Sequence, residues 1–583
     1  TLLGELSRHP DLAVCQLSLH EPPSGGKLSA AEAEVKGWGD VFSDSCYSAK
    51  AGRKDFFNAD SSITSMISTV TARTPDALAL LDDGSGATYS YAELTKLAGA
   101  VASQIAALGL APDSLVPLMS ERSIPMVLGI LGIIRAGCGY VPLDLHWPDD
   151  RLVDVLQQCS AKVVMGSQSC FPKLQGLAEK AGVAATLCVE DVAMSGGTLE
   201  DRGSGRSLVY CFFTSGTTGK PKGVMVENRG LVHRIHWFQK QFPLARGEGI
   251  VAKVAYTFGL SEWEIFWPLA VGATMVLAPP GGEKDPDYLL KRACNAFQPP
   301  ATEQRLLPGA GPQADLVTNN AAHIFVPSML QIVFDRYDEL EEEEAARKTG
   351  QCGGSGTWWR NSSARNVITC GEPLTAIIAQ KMFARFQHCN LTNMYGPTEG
   401  EMTHWEVPHG VALSKVSAGT PMQGTKVVLS DLREPKMAAS LEPAEVCWGS
   451  PFIARGYLGR KDLDAKAFIP DFTAKLGGGA GKNTKGFENG ISNGDVSNAQ
   501  EEELRLYLTG DLGRWRSGGN LELLGRKDFQ IKLRGFRIEL GEIESAVRAA
   551  GARAAVCILR KGAGGAPALV AYYEPGPDAP VPE

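Results

Sequence analysis

Short apolar runs alternate with helix-like stretches from about residue 61 onward, and this alternation constrains the fold more than any other feature. Apolar residues recur at helical spacing over 63–70, before a stop at Thr74-Pro75. Ser90, with Glu93 three residues later, is a capping box that predicts a helix over 94–108. The apolar runs that we interpret as strands are 78–81, 116–119, 138–141, 162–165 and 209–213. The pattern predicts an α/β fold of layered elements with largely parallel sheets.

Charge and composition exclude several classes of protein. The 57 Lys and Arg residues against 65 Asp and Glu give a net charge of −8, which argues against a nucleic-acid partner. The longest uninterrupted apolar stretch, 126–134, is too short to cross a bilayer, so we expect no membrane partner. Thirteen cysteines without a Cys-x-x-Cys pair exclude a disulfide scaffold and give no zinc pattern. We therefore expect a cytoplasmic protein with reduced thiols.

A loop rich in Gly, Thr and Lys follows the apolar run 209–213 directly. Small residues allow backbone N–H groups to surround phosphate oxygens, while hydroxyl and ammonium groups add donors and positive charge. The loop departs from the Walker pattern, because Thr214 and Pro221 stand where that pattern needs Gly and Ser or Thr. Its ten residues are Thr214, Ser215, Gly216, Thr217, Thr218, Gly219, Lys220, Pro221, Lys222 and Gly223.

This loop resembles the signature of adenylate-forming (AMP-forming) enzymes, and five other motifs extend the resemblance in chain order. Together they resemble an adenylation domain of a nonribosomal peptide synthetase, over about residues 61–573. The other motifs are TYSYAEL at 88–94, RAGCGYVPLD at 135–144, NMYGPTE at 393–399, YLTGD at 507–511 and GRKDFQIKLRGFRIE at 525–539. Six motifs in the same order exclude chance agreement.

The resemblance implies a domain organisation. Residues 61–525 are expected to form a large N-terminal domain of layered α/β subdomains, and 526–583 a small, truncated α+β C-terminal lid. Residues 1–60 are expected to be a linker, whose first twenty residues resemble the tail that follows a condensation domain. Asp528 occupies the hinge about which the family's lid rotates between adenylation and thioester formation, and Lys532 lies on the lid face used in the second step.

Three stretches are predicted to be exposed loop insertions: 301–321, 339–362 and 475–503.

The implied cofactors are ATP and Mg²⁺. Lys220, Thr398 and Glu399 are the catalytic residues that the resemblance assigns, and Glu399 is also the metal ligand. Tyr395 is expected to stack on adenine, and Asp511 to hold the ribose hydroxyls. The full nucleotide site that the resemblance assigns contains Thr214, Ser215, Gly216, Thr217, Thr218, Gly219, Lys220, Lys222, Gly371, Glu372, Pro373, Asn393, Met394, Tyr395, Gly396, Thr398, Asp511 and Arg526.

The acid-binding region departs from the family at Gly259. Members that activate amino acids place an Asp there, in a Phe-Asp-x-Ser stretch, to bind the substrate's α-ammonium. A buried ammonium without a counter-charge is costly, so we expect a hydroxy, keto, aryl or other simple acid that lacks an α-amine. The alternative is that Glu262 replaces the missing Asp. The positions that match the family's substrate pocket are Phe258, Gly259, Leu260, Trp263, Ile324, Ile368, Cys370, Met394, Met402 and Thr403.

The pocket is apolar and rich in sulfur, which favours an apolar or polarizable side chain, and Trp263 could face a cationic group. The function implied is ATP-dependent activation of a small carboxylic acid, followed by transfer to the phosphopantetheine of a downstream carrier domain, with a condensation domain upstream. One alternative is a stand-alone acyl-CoA ligase. Another is a degenerate domain that binds nucleotide or serves as a scaffold, which Gly259 would favour.

The family's lid carries an essential lysine in a C-terminal Gly-Lys motif, and the sequence given ends at Glu583 without it. We therefore expect the chain as given to adenylate its acid slowly, because the lysine's charge is missing from the reacting phosphate. ATP–pyrophosphate exchange by this chain and by a longer one measures the difference. Equal rates would refute the expectation.

Overall fold

The computed structural model describes eleven segments of the chain. They are residues 61–214, 221–294, 319–349, 358–360, 364–430, 443–475, 505–516, 519–528, 530–533, 536–561 and 567–575. The predicted linker, residues 1–60, lies outside the described residues, so its assignment stays a prediction.

Within these segments the helices alternate with strands as the sequence predicts. The helices are α1 (Ile63–Arg73), α2 (Tyr91–Ala107), α3 (Ile124–Arg135), α4 (Asp149–Gln158), α5 (Phe171–Ala181), α6 (Val189–Met194), α7 (Asn228–Gln241), α8 (Ser261–Val271), α9 (Pro286–Ala293), α10 (Pro327–Thr349), α11 (Ala376–Arg385), α12 (Lys461–Ala467) and α13 (Leu540–Ala549). Short 3₁₀ turns occur at Trp358–Arg360 and Phe472–Lys475.

The strands belong to four sheets and two hairpins. They are β1 (Leu78–Asp82), β2 (Thr88–Ser90), β3 (Leu115–Met119), β4 (Gly139–Leu143), β5 (Val163–Gly166), β6 (Ala185–Cys188), β7 (Leu208–Thr214), β8 (Lys222–Glu227), β9 (Glu248–Ala252), β10 (Thr274–Leu277), β11 (Asn319–Asn320), β12 (Ala322–Phe325), β13 (Asn366–Thr369), β14 (Asn390–Tyr395), β15 (Thr403–Glu406), β16 (Thr420–Pro421), β17 (Lys426–Ser430), β18 (Ala444–Gly449), β19 (Gly456–Tyr457), β20 (Phe468–Pro470), β21 (Arg505–Trp515), β22 (Leu521–Arg526), β23 (Gln530–Leu533), β24 (Phe536–Glu539), β25 (Ala552–Lys561) and β26 (Pro567–Pro575).

Two of the sheets are largely parallel, a third has equal numbers of parallel and antiparallel pairings, and the fourth is antiparallel. The seven-stranded sheet has the order β19-β8-β7-β4-β3-β5-β6, and the two five-stranded mixed sheets have the orders β11-β9-β10-β1-β2 and β12-β13-β14-β15-β16. The antiparallel sheet, β17-β18-β21-β20 with β22 beside β21, was not distinguished from the others by the sequence pattern. The hairpins β23-β24 and β25-β26 lie in the predicted lid. The α/β class is confirmed.

Local sequence signals explain several of the boundaries. The Ser90 side chain accepts from the Glu93 backbone N–H while the Glu93 side chain accepts from the Ser90 backbone, so the predicted capping box is present at α2. α1 ends at Arg73, immediately before Thr74-Pro75, as predicted. α3 is buried along almost its whole length, which is why its sequence is apolar on every face.

The prediction of an exposed loop over 339–362 is wrong for its first half. Residues 339–349 continue α10, and the acidic run at 341–344 lies on that helix. Glu341 accepts from Trp359 Nε1 at 2.7 Å and from Arg360 Nε at 2.6 Å, so the acidic run is tied to the 3₁₀ turn. Residues 350–357 and 361–363 lie outside the described residues, as do 301–318 and 476–503 of the other predicted insertions.

Buried charged groups lie inside the two largest core clusters. Lys253 Nζ donates to Glu264 Oε1 at 2.5 Å, and the Arg292 guanidinium binds Asp83. His323 is also buried, with 2% of its surface exposed. Burial, followed by the charges of Lys253 and Arg292, lowers the pKa of His323 to about 3. The folded protein therefore keeps this imidazole neutral at acidic pH.

This neutral histidine predicts a loss of stability in acid. Below its ordinary pKa of about 6.5 the unfolded chain binds a proton at His323 that the folded chain does not bind, so stability falls from pH 6.5 toward pH 3. At pH 5 this difference in proton binding lowers the free energy of unfolding by about 2 kcal/mol relative to neutral pH. Urea unfolding at several pH values should therefore show a shallower pH slope for His323→Gln. The exposed His409→Gln is the control, and equal slopes in wild type and His323→Gln would contradict the assignment.

Candidate active site

The predicted phosphate loop connects β7 to β8, which are antiparallel neighbours. Thr214 ends β7 and lies opposite Lys222, the first residue of β8. The loop therefore leaves and re-enters the sheet at the same edge. Ser215, Gly216, Thr217, Thr218, Gly219 and Lys220 lie outside the described residues, so their phosphate roles stay predictions.

Glu399 lies beside this edge and is fully buried. Its Oε1 atom is 3.2 Å from Lys222 Nζ and accepts from the Tyr457 hydroxyl at 2.9 Å. The carboxylate thus faces a cation in this structure, which suits the predicted metal ligand. Among the described residues no cluster of three His, Cys, Asp or Glu side chains could hold a metal. A single carboxylate nevertheless suits Mg²⁺, which takes its remaining ligands from substrate phosphates and water.

Tyr395, Asp511 and Arg526 form a second group of contacts. The Tyr395 hydroxyl donates to Asp511 Oδ2 at 2.6 Å, and Arg526 donates to Asp511 Oδ1 at 2.7 Å. Burial raises the pKa of Tyr395 well above its usual value, and the Asp511 carboxylate raises it further, so Tyr395 remains a donor. Gly510 has φ +77°, and a Cβ there would lie 2.6 Å from an Arg526 nitrogen, so glycine is needed for this approach.

Asp511 and Arg526 of the second group line a cavity of about 90 Å³ together with six predicted acid-binding residues, Phe258, Gly259, Leu260, Trp263, Cys370 and Met402. The residues of the first group and Tyr395 are not among those that line it. Its wall includes Tyr210, Arg234, Phe258, Gly259, Leu260, Glu262, Trp263, Cys370, Gly371, Gly396, Pro397, Thr398, Gly400, Met402, Thr509, Asp511, Arg526, Gln530 and Lys532. Thr398, assigned to the nucleotide, meets Gly259, assigned to the acid: a Cβ at residue 259 would lie 3.6 Å from Thr398 Oγ1. The nucleotide and acid halves of the predicted site are therefore adjacent.

The other predicted residues lie behind this wall. Ile324, Ile368 and Met394 are buried in the core cluster that also contains Leu260 and Trp263. Asn393 donates to the Ser417 carbonyl at 2.7 Å, and the Thr403 hydroxyl donates to the Tyr395 carbonyl at 3.4 Å. Glu372, which precedes Pro373 in the chain, accepts from the Ser328 N–H at the start of α10. These positions support the cavity, and their direct contact with substrate stays a prediction.

Glu262 lies at the base of the cavity with its carboxylate fully engaged. It accepts from Tyr210 Oη at 2.5 Å, from Trp263 Nε1 at 2.9 Å and from two nitrogens of Arg234 at 2.7 and 3.0 Å. Arg234 also reaches Glu401 at 3.3 Å. Burial opposes the charge on Arg234, but Glu262, Tyr210 and Glu401 outweigh it and raise the Arg234 pKa. The base of the cavity is thus a preformed ionic network.

The predicted lid contributes Lys532 to the cavity. Its Nζ atom lies 5.6 Å from the centroid of the Tyr395 ring. Asp528, the predicted hinge, accepts from Arg526 Nε at 2.6 Å, so the hinge position is joined to the nucleotide group.

Cys370 is a neutral wall residue, because burial raises the pKa of its thiol to about 11.

Sequence reasoning missed Tyr457, Tyr210, Arg234 and Glu401. Tyr457 follows Gly456 in a short Arg-Gly-Tyr stretch that carries no periodic signal, and only the pairing of β19 with β8 brings it to Glu399. Arg234 lies in α7, within a helical pattern that gives no indication of its ionic partners. Glu401 follows Glu399 by two residues, and this proximity to a motif was the one signal available.

The fold and site define an AMP-binding enzyme. The model of the family described as AMP-binding enzyme matches residues 67–458, more than half of the chain. The Zwittermicin A synthase ZmaJ of Bacillus cereus is 31% identical over 86% of this chain and 83% of its own length. The chain therefore belongs to the AMP-binding enzyme family, and the resemblance to adenylation domains of nonribosomal peptide synthetases is confirmed.

Other comparisons agree. Phosphinothricin tripeptide synthetase PhsB of Streptomyces viridochromogenes is 33% identical over 99% of this chain, which spans 42% of that protein. The structure of PA1221, an NRPS protein with adenylation and PCP domains, has a TM-score of 0.67 and 19% identity, covering 90% of this chain and 78% of that one. The latter shows similarity of fold alone. Among the described residues, no helix has the length and apolar character needed to cross a membrane.

Proposed function

We propose that this chain activates a small carboxylic acid as its acyl-adenylate and then transfers the acyl group to the phosphopantetheine thiol of a carrier domain. The observation that carries the proposal is that Thr398 and Gly259 lie in the wall of one cavity, where a Cβ at residue 259 would lie 3.6 Å from Thr398 Oγ1. Membership of the AMP-binding enzyme family supports the first reaction. The synthetase relatives, and a neighbour described as containing a PCP domain, support the second.

The first reaction brings two anions together. An oxygen of the acid's carboxylate attacks the α-phosphorus of ATP, and the bond from that phosphorus to the pyrophosphate oxygen breaks. Lys222 and Thr398 are the donors proposed for the phosphates, and fixed donors of this kind lower the barrier without reorganisation. Glu399 would hold Mg²⁺, which would supply additional positive charge to the phosphates.

The nucleoside is positioned by the second group of contacts. Asp511 presents two carboxylate oxygens that Tyr395 and Arg526 hold in fixed directions, and each oxygen retains an acceptor position for a ribose hydroxyl. The ring of Tyr395 provides the surface for adenine. In the second reaction the carrier thiolate attacks the acyl carbon and AMP leaves, and Lys532 on the predicted lid lies where it can meet the negative charge of AMP.

We propose that the acid lacks an α-amine. Gly259 provides no counter-charge for an ammonium. Glu262, the alternative partner, already accepts four hydrogen bonds, which fill the acceptor positions of its carboxylate, and Arg234 neutralises its charge. An α-ammonium would therefore be buried without a partner, at a cost of several kcal/mol.

ATP–pyrophosphate exchange tests the proposed function. The chain, with any residues that follow it naturally, is offered a panel of hydroxy, keto and aryl acids beside the matching α-amino acids. We expect exchange with the acids that lack an amine, and at least about tenfold slower exchange with the amino acids. Preference for the amino acids would refute the substrate assignment. ATP binding without exchange for any acid would favour the degenerate domain instead.

Gly259→Asp tests the role of the missing counter-charge. Gly259 has no positive φ, and an added Cβ would make an ordinary contact at 3.6 Å with Thr398 Oγ1, so the substitution should fold. We expect the ratio of exchange rates to shift by about tenfold or more toward α-amino acids, because the new carboxylate can pair with the ammonium. Gly176→Asp is the control, because the space around Gly176 is open. An unchanged ratio in Gly259→Asp would contradict this account of the pocket.

A further inference from the structure

Tyr457 is at the centre of a three-residue contact that the sequence motifs do not include. Its hydroxyl donates to Glu399 Oε1 at 2.9 Å and accepts from Lys222 Nζ at 3.0 Å. Lys222 Nζ is also 3.2 Å from the same Glu399 oxygen and 4.4 Å from the centroid of the Tyr457 ring. Each of the three residues therefore contacts both others, and we call the set Lys222, Glu399 and Tyr457 the cation triad.

The fold fixes the position of the Tyr457 hydroxyl. The antiparallel pairing of β19 with β8 places Tyr457 opposite Val224, two residues from Lys222. The Tyr457 backbone N–H donates to Asp464 Oδ1 at 2.7 Å, and its ring packs edge-on against Phe468 at 5.5 Å. With 3% of its surface exposed, the side chain has little freedom to turn away from Glu399.

Nucleotide binding, as proposed, changes the positive partner of the buried Glu399 carboxylate. Glu399 is fully buried, so its carboxylate needs a positive partner, and Lys222 provides one in this structure. The proposed function assigns Lys222 to the phosphates and Glu399 to Mg²⁺. Lys222 must then leave Glu399, and the carboxylate must accept a different cation without rotating out of place. A neutral donor that stays on the carboxylate in both situations would keep its orientation constant.

We propose that Tyr457 is a positioning residue for the binding of magnesium–ATP. Its hydroxyl holds the Glu399 carboxylate in place while Lys222 leaves that carboxylate and binds the phosphates. The inference rests on the proposed function, because it takes Glu399 as the metal ligand. It also makes ATP binding depend on the metal: when Lys222 moves to the phosphates without a replacement cation, a buried carboxylate is left unpaired. Residues that orient a metal ligand typically change metal affinity by 10- to 100-fold when removed.

Titration calorimetry of ATP, in EDTA and at increasing Mg²⁺ concentration, tests the role of Tyr457 without a measurement of turnover. Tyr457→Phe keeps the ring and its contact with Phe468 but removes the hydroxyl. We expect the Mg²⁺ concentration that half-saturates the gain in ATP affinity to rise about tenfold. ATP affinity in EDTA should change by less than about threefold, since the lysine and the phosphate loop remain. Tyr572→Phe on the exposed hairpin is the matched control.

Glu399→Gln separates failure of this inference from failure of the proposed function. If Glu399→Gln keeps the wild-type dependence of ATP binding on Mg²⁺, the assignment of Glu399 to the metal is wrong. If Glu399→Gln loses that dependence while Tyr457→Phe keeps the wild-type half-saturating concentration, the role of Tyr457 is overturned.

Lys222→Met provides a test that does not require Tyr457→Phe to fold. The triad predicts that the lysine competes with metal for Glu399 in the absence of nucleotide. Mn²⁺ binding without ATP, followed by electron paramagnetic resonance, should therefore be about tenfold tighter in Lys222→Met than in wild type. Equal or weaker Mn²⁺ binding would overturn the exchange between Lys222 and the metal.

Discussion

The hydrogen-bonded contact of Asp511 with Tyr395 and Arg526 joins the parts of the molecule on which the site depends. Tyr395 ends a strand of the mixed sheet, whereas Asp511 and Arg526 are cross-strand partners in the antiparallel sheet. Arg526 continues the contact to Asp528 at the start of the predicted lid. One carboxylate thus sets the relative position of two sheets and of the first lid residues at the cavity. A nucleoside bound at Asp511 would therefore be connected to the lid through Arg526 and Asp528.

Local sequence signals were sufficient for much of the fold, whereas the candidate site was predicted from the resemblance of six motifs to a known family. The capping box at Ser90 and Glu93, and the buried strand before the phosphate loop, depend on neighbouring residues, so both could be predicted. Tyr395, Glu399 and Asp511 lie in motifs that resemble those of adenylate-forming enzymes, and the resemblance implies their roles. Tyr457 and Arg234 could not be found in this way, because their partners are 58 and 28 residues distant and meet them only through sheet pairing and helix packing. The prediction of a loop for the acidic run in α10 is wrong, because the pairing of this run with Trp359 and Arg360 is also non-local.

The predicted acid-binding part of the cavity contains a buried carboxylate, that of Glu262. Tyr210, Trp263 and Arg234 occupy the carboxylate of Glu262, so its charge is satisfied within the protein. The wall above it consists largely of apolar or neutral groups such as Leu260, Met402 and the protonated Cys370. Gly259 leaves space rather than charge. These features together favour an acid whose recognition relies on shape and apolar contact.

The proposed function requires one cavity to hold both halves of an acyl-adenylate. A crystal structure of the chain with a stable sulfamate analogue of the acyl-adenylate, made with the acid that is most active in exchange, tests it most directly. We expect adenine against the ring of Tyr395, both ribose hydroxyls on Asp511, and the acyl group beside Gly259 and Trp263. A ligand bound elsewhere, or with its acyl group directed away from Gly259, would contradict it.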